Sequence, residues 1–415
     1  DDSDDQTTAV IAETAGRIRA RGVDIVELRR PAPVGFKAGA LEFGLGRAKG
    51  EFVAIFDADF VPPPDFLKKT LPYFSDPSVG LVQGRWDHQN RNESWFTALQ
   101  ARVLDGLMVV EQTAKSDKGV PFQFNGTGGV WRRRAIEAAG GWTFDSLTED
   151  FDLSLRAAIA GFRLVHLPEV AVPSDLPTTL CLFRVQQRRW ALGTAQLLRK
   201  RLGAVLSADL PLSARIALAF QLLRHFGYPL LLLMVILVPL TTFGYIHTLF
   251  EYGIVNAIVL GIAICSVALQ HAVAGRALGR GVWGALLLAP LSIMLAIGLA
   301  PTYTVGLWYG LRDRAGAFHR TPKIPRAPQP GEPAYRAVRS VLVGFEISVG
   351  AAYVLFTVFA LLRGLFPEAG FLAFVSVSYL WVGFGSLHVN AAPSAAPRPA
   401  LAQTAKMTVN PVPKA

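Results

Sequence analysis

The 415-residue sequence predicts an α/β domain followed by an α-helical transmembrane bundle, and three observations lead there. The first is composition: 51% of residues are apolar, 17% are charged and the mean hydropathy is +0.35, whereas an ordinary soluble domain carries roughly 25% charge. The second is a change of pattern near residue 207. Short apolar stretches alternate with helical ones before it, and apolar runs of about 20 residues follow it, long enough to cross a bilayer at about 1.5 Å per residue. The third is charge distribution. Residues 1–206 carry 26 Lys+Arg against 25 Asp+Glu, and residues 207–415 carry 15 against 6. The basicity therefore belongs to the apolar half, where Lys and Arg beside apolar runs mark a cytoplasmic face and meet membrane lipids. A nucleic-acid binder would need a basic stripe on a soluble face, so no nucleic-acid partner is expected. Cys181 and Cys265 lie far apart, which argues against a disulfide framework or a cysteine-based zinc site.

In chain order, Asp24 to Leu28 and Phe52 to Phe56 read as buried strands with the Ala/Gly-rich helix Ala38 to Lys49 between them, predicting a parallel βαβ unit. Leu81 to Arg85 and Arg163 to Leu167 are further strand candidates. The segment Thr178 to Leu202 is amphipathic, interleaving Leu180, Phe183, Trp190 and Leu198 with six basic residues. Apolar runs fall near 217–242, 252–273, 283–310, 340–363 and 368–390. The expected organisation is an α/β domain over 1–177, interfacial helices over 178–216, a transmembrane region over 217–390 with a cytoplasmic loop at 311–339, and an Ala/Pro-rich disordered tail over 391–415. The chain opens directly into the acidic turn DDSDD, so a strand and helix feeding that turn are expected upstream, missing from this sequence.

The loop sets a topological problem. Arg312, Arg314, Lys323, Arg326, Arg336 and Arg339 place it in the cytoplasm, yet three full crossings between 217 and 310 would put it outside if the α/β domain is inside. Segment 283–310 contains Pro290 and Pro301 and runs into the amphipathic TYTVGLWYGLRDR. We therefore expect an interfacial or re-entrant element there, leaving four true spans.

Three constellations carry potential chemistry. Asp57-Ala58-Asp59 follows a predicted strand, where α/β sheets bind ligands, and two hard oxygen donors there suit Mg2+ or Mn2+ on a diphosphate. Alone, the triplet reads first as a solvated strand-end turn, since Asp is common in turns. Thr148-Glu149-Asp150 precedes the helical run Phe151 to Ala160, and Ser146-x-x-Glu149 fits a capping box. A carboxylate there is also placed to act as a general base toward a hydroxyl. Gln186-Gln187-Arg188-Arg189-Trp190 lies on the amphipathic segment, where Arg can grip phosphates and Trp can face a sugar ring. Other chemistries fit poorly: Gly44-x-Gly46 precedes a strand instead of following one, there is no P-loop, and the seven histidines lack HxxxH spacing.

Taken in order, DDSDD (1–5), FKAGAL (36–41), DAD (57–59), FNGT (124–127), TED (148–150), QQRRW (186–190) and FHRTPK (318–323) resemble the family 2 membrane glycosyltransferases, in the cellulose synthase-like branch of mannan and glucan synthases. Each motif is short; their succession ahead of apolar spans is specific. The resemblance covers about residues 1–325 and implies a GT-A nucleotide-diphospho-sugar transferase fold. It implies that Asp2, Lys37, Asp57, Asp59, Gln186 and Arg189 bind the donor, with Asp57 and Asp59 holding Mg2+ or Mn2+. Asp150 becomes the catalytic base with Glu149 in support, while Asn125, Gly126, Thr127 and Trp190 line the acceptor site. Phe318, Thr321 and Lys323 match a loop that closes over the nucleotide, although Arg320 stands where that loop usually has a small apolar residue.

The implied activity is inverting transfer from UDP-glucose or GDP-mannose to a growing β-linked glycan acceptor, at the cell (inner) membrane with the catalytic domain cytoplasmic. Two rivals remain at this stage: a non-processive lipid glycosyltransferase of the ceramide type, and an inactive channel or scaffold on a relic of the same fold. The intact set Asp57, Asp59, Asp150 and Arg189 counts against the second.

Overall fold

The computed structural model describes residues 7–32, 34–244, 253–312 and 341–387. Asp2, the loop residues Phe318, Thr321 and Lys323, and the Ala/Pro-rich tail lie outside the described residues. Helices α1 (Thr7–Arg19) and α2 (Phe36–Leu45) precede a four-stranded sheet of β1 (Phe52–Ile55), β2 (Val79–His88), β3 (Gly129–Arg132) and β4 (Arg163–Ser174). The strand order is β1-β3-β2-β4. Between the strands lie α3 (Phe66–Thr70), α4 (Trp95–Asp105) continuing through a π-helical turn (Gly106–Gln112) into α5 (Thr113–Asp117), then α6 (Arg133–Ala138) and α7 (Glu149–Ile159).

The sheet is mixed. β4 runs parallel to β2, but β3 is antiparallel to both β1 and β2. Side chains alternate across it: Leu81 and Trp131 enter one core with Ile136 and Leu153, and Val82 and Val130 enter the other with Phe66 and Val172. This burial on both faces explains why the strands read as continuous apolar runs. The expected parallel βαβ unit does not form. Residues 24–28 carry no strand pairing; Val26 is 68% exposed and Ile25 and Leu28 are only half-buried, so the run is no buried strand. β1 finds its partner in β3 instead.

The expected capping box is also absent. Helix α7 begins at Glu149 with Thr148 as N-cap and no side-chain cap bond, and the Ser146 and Thr148 hydroxyls are buried without hydrogen-bond partners among the described residues. Thr148-Glu149-Asp150 is thus the first turn of the helix, starting two residues before the expected Phe151.

A long helix, α8 (Leu180–Leu206), links the α/β domain to the apolar helices α9 (Leu212–Leu223), α10 (Gly227–Thr242), α11 (Gly253–Ala277), α12 (Trp283–Gly298), α13 (Ala300–Leu311), α14 (Val341–Leu362) and α15 (Phe366–Leu387). Among the described residues, four stretches are long and apolar enough to cross a membrane: Leu212–Thr242, Val255–Ala277, Val341–Leu362 and Phe366–Leu387. The pair α12 and α13 is bent by 48°, at the Pro301 side of the segment expected to be re-entrant. The protein is a multi-pass membrane protein, an α/β domain built on a mixed sheet and followed by several long apolar helices.

Helix α13 lies directly on α8: a Cβ at Gly306 would meet the Arg188 carbonyl at 2.8 Å, so only glycine permits this backbone approach. Arg184 on α8 pairs with Glu346 on α14 through two bonds of 2.7 and 2.6 Å, and also donates to the Thr302 and Ser386 hydroxyls. The pair is almost fully enclosed, and removing one partner from such a pair costs roughly 3–5 kcal/mol.

Candidate active site

The antiparallel register assembles the site. Because Ile55 at the end of β1 faces Gly129 at the start of β3, the Asp57 triplet and the Asn125-Gly126-Thr127 loop leave the sheet side by side. The Gly128 N–H donates to the Ile55 carbonyl at 2.8 Å, and the Asp57 N–H donates to Thr127 Oγ1 at 2.8 Å. Gln83 on β2 also faces Gly129, bringing the middle strand under the same loop. Trp86 Nε1 donates to the Thr127 carbonyl at 3.2 Å.

Lys37 reaches in from the first turn of α2. Its Nζ donates to Asp57 Oδ1 at 2.5 Å and to the Gly126 carbonyl at 3.0 Å. Burial alone would pull this amine's pKa down, but Asp57, Glu149 and Asp150 outweigh it and hold the group above its ordinary value. The cation is therefore firmly charged where a diphosphate would arrive.

Asp150 sits against Gly126. A Cβ at position 126 would lie 2.9 Å from Asp150 Oδ2, and Gly126 has φ +86°, so both space and backbone require glycine. Burial first, then the charge of Glu149, push the Asp150 carboxyl up to about 7. Glu149 is raised as well, chiefly by burial and against the pull of Lys37 and Arg189. Asp150 Oδ1 accepts from the Phe151 N–H at 2.8 Å.

Helix α8 crosses the start of α7. A Cβ at Gly193 would meet the Thr148 side chain at 2.6 Å, and Gln196 Oε1 accepts from the Leu147 N–H at 3.1 Å. This crossing brings the Arg189 guanidinium into the field of Glu149, Asp150 and Asp57, which partly offsets the lowering of its pKa by burial. Trp190 follows on the same helix, partly buried. Gln187 Nε2 donates to Gln186 Oε1 at 3.4 Å, and the Tyr303 hydroxyl of α13 donates to Gln187 Oε1 at 2.7 Å.

The residues around Asp57 suit a divalent cation bound together with a diphosphate. Lys37 takes Oδ1 of Asp57, leaving Oδ2 for a ligand, and Asp59 lies two residues on. Among the described residues no cluster of three or more acidic, histidine or cysteine side chains could hold a metal alone. One or two carboxylates completed by phosphate oxygens and water is a usual arrangement for Mg2+.

The chain matches the family described as glycosyl transferase family group 2 over residues 52–312, well over half its length. It belongs to that family. Within glycosyl transferase family group 2, it is 43% identical over 205 residues to glucomannan 4-beta-mannosyltransferase 2 of Arabidopsis thaliana, a match covering 48% of this chain and 38% of that one. It is 44% identical over 207 residues to glucomannan 4-beta-mannosyltransferase 1 of Oryza sativa subsp. japonica, covering 48% and 40%. The matched stretch thus spans about two fifths of these curated relatives. Among solved structures, the mannosyltransferase PcManGT from Pyrobaculum calidifontis in complex with GDP-Man and Mn2+ aligns with a TM-score of 0.47 at 20% identity, over 70% of this chain and 75% of that one.

Of the residues expected from the sequence, Lys37, Asp57, Gly126, Thr127, Glu149, Asp150 and Arg189 converge on one spot. Reading the sequence missed Gln83, Trp86 and Gln112. Gln83 left a signal, a polar residue inside the apolar run Val79-Gly80-Leu81-Val82, facing inward with 0% exposure.

Proposed function

We propose that this protein is an inverting membrane mannosyltransferase that moves mannose from GDP-mannose to a growing β-linked glycan. The observation that carries the reading is Asp150: a carboxylate poised near neutrality, in the electrostatic field of the Asp57, Lys37 and Arg189 group that would hold a nucleoside diphosphate. The identity to plant glucomannan mannosyltransferases supports GDP-mannose over UDP-glucose as the donor.

In the proposed reaction Asp150 accepts the proton of the acceptor hydroxyl as its oxygen bonds to the anomeric carbon. The bond from that carbon to the diphosphate oxygen breaks on the opposite face, and its electron pair leaves with the nucleotide. An α-linked donor therefore gives a β-linkage. Lys37 and Arg189 neutralise the charge growing on the diphosphate. A Mg2+ or Mn2+ ion, held through Asp57 and Asp59, would supply further charge neutralisation to the leaving group when bound. Glu149 keeps the base's pKa high, and Gln186 and Trp190 extend the donor and acceptor contacts along α8. Asp2, Phe318, Thr321 and Lys323 keep the donor and loop roles implied by their motifs.

The apolar helices rest directly on this site through Tyr303 and Gln187, which supports retention of the product end between additions. We place the α/β domain on the cytoplasmic side of the cell membrane. The test incubates the purified protein with GDP-mannose or UDP-glucose and follows released nucleoside diphosphate and product size. Mannose polymer sensitive to a β-mannanase is the expected result. A product carrying one sugar and extractable into organic solvent would replace the polymer reading with a lipid glycosyltransferase, and no nucleotide release would leave the scaffold reading.

A further inference from the structure

Three side-chain amides meet behind the acceptor loop. Gln83 on β2 is fully buried, Gln112 at the end of the π-helical turn is 3% exposed, and Asn125 stands between them, partly open, one residue before Gly126 and its Asp150 neighbour. Their hydrogen bonds determine which way each amide points. The Asn125 backbone N–H donates to Gln83 Oε1 at 3.2 Å, so Gln83 must present its Nε2 to the Asn125 side chain, which it does at 3.3 Å to Oδ1. Gln112 Nε2 donates to the Gln123 carbonyl at 3.2 Å, which only accepts, and to Asn125 Oδ1 at 2.7 Å. Two separately anchored donors thus converge on Oδ1. The amide of Asn125 cannot flip without facing N–H groups on both sides, and no hydrogen bond among the described residues uses its Nδ2.

We infer that Gln112, with Gln83, is a positioning residue that locks Asn125 as a hydrogen-bond donor toward the acceptor sugar, selecting a hydroxyl or ring oxygen able to accept beside the base. Gln112 Oε1 is buried without a partner among the described residues. An unsatisfied buried oxygen is costly, so the value of this glutamine at its position lies in its two donated bonds. The π-helical turn supplies the geometry. Its wider winding advances Gln112 relative to a regular α-helix, and such turns recur at functional sites. Its start is held against the apolar helices, since a Cβ at Gly106 would meet the Gln270 side chain of α11 at 2.9 Å. A site that donates into a sugar oxygen discriminates strongly, because an acceptor lacking that oxygen leaves the donor unpaired.

This inference rests on the glycosyltransferase reading, and the experiment separates the two. Wild type is assayed with GDP-mannose and UDP-glucose in parallel, using a β-1,4-mannotetraose acceptor, and the variants are compared with whichever donor turns over. An unexpected donor overturns the mannosyl assignment alone. Gln112→Leu and Asn125→Ala should each raise the acceptor KM by about tenfold, and the double variant should be no worse than Asn125→Ala, because Gln112 acts only through Asn125. GDP affinity of Gln112→Leu should match wild type. Gln112→Met, which keeps the length of the side chain but cannot donate, should reproduce the effect if the leucine variant fails to fold. Full additivity, or equal loss on the donor and acceptor constants, would overturn the inference.

Discussion

In the proposed reaction Asp150 would serve as base near neutral pH, because two costs act on its carboxylate. Enclosure first and the neighbouring Glu149 second raise Asp150 to about 7, while Lys37 holds it back. A carboxylate raised this far is a stronger base than an exposed one, at the expense of being partly protonated at neutral pH. Asp150→Asn should therefore abolish transfer by about a thousandfold or more while GDP affinity changes by less than about twofold, since the residue acts on the acceptor. Transfer assays and nucleotide titration check both halves. The pH profile carries a sign. Transfer should fall as pH drops below about 7, because the base then takes a proton from water instead of from the acceptor. Glu149→Gln removes the like charge, lowers the pKa of Asp150 and should move this acid limb to lower pH. An unmoved limb would show that Glu149 does not set the base. At Asp57 and Asp59, excess EDTA should stop turnover and Mn2+ should restore it, whereas Asp59→Asn should respond only weakly to added Mn2+; full activity in EDTA would remove the metal from the proposal.

At the scale of elements, the site depends on strand direction. A parallel β1 would have sent residues 124–127 to the far end of the sheet; the antiparallel β3 returns them to Asp57. The motifs themselves were legible because DAD, FNGT and TED are compact runs, each positioned by a single turn. The pairing was not, because Asp24 to Leu28, although it carries two acids where 52–56 is wholly apolar, still has a strand's length and three apolar residues, and only the fold leaves Val26 68% exposed. The amide of Gln112 stayed hidden for another reason: it ends a π-helical turn, which breaks the 3.6-residue period by which a helix face is recognised.

Element packing also anchors the base. Asp152, two residues beyond it on α7 and 0% exposed, accepts from Arg201 Nε on α8 at 2.6 Å, Arg156 Nε at 2.7 Å and Thr143 Oγ1 at 2.6 Å. Asp152→Ala should cost about 3 kcal/mol, lowering the melting temperature in detergent and loosening α8 from α7 together. Burial opposes ionisation of Asp152, but these partners hold its pKa below the usual carboxylate value of 3.8. Their stabilisation is thus complete above the unfolded pKa and lost as pH falls through the lower folded one. The variant should differ most from wild type at neutral pH and converge with it in strong acid.

For the whole molecule, the decisive question is which helix ends share a side with the α/β domain, and ion pairs answer it. Between α11 and α12, Arg280 donates to both oxygens of Asp105 at 3.0 and 2.8 Å and to Asp87 at 3.2 Å, binding that turn to α4 and the end of β2. The end of α13 meets α8, where Arg199 Nη1 donates to the Leu311 carbonyl at 3.5 Å. Both ends of the 48° bent pair therefore touch the α/β side, the geometry of an element that enters and returns. The end of α15 is fixed there too, by the Arg184 to Ser386 bond of 2.7 Å. A path consistent with all these contacts has four crossings, and the far side then holds the end of α10 and the turn between α14 and α15. In a background with Cys181 and Cys265 replaced by serine, Leu278→Cys and Arg312→Cys should react with an impermeant maleimide only from the side of the α/β domain. Thr242→Cys and Arg363→Cys should react only from the other. Labelling of Arg312→Cys from the opposite side would make the bent pair a fifth crossing, and would carry the basic segment that follows it away from the nucleotide site.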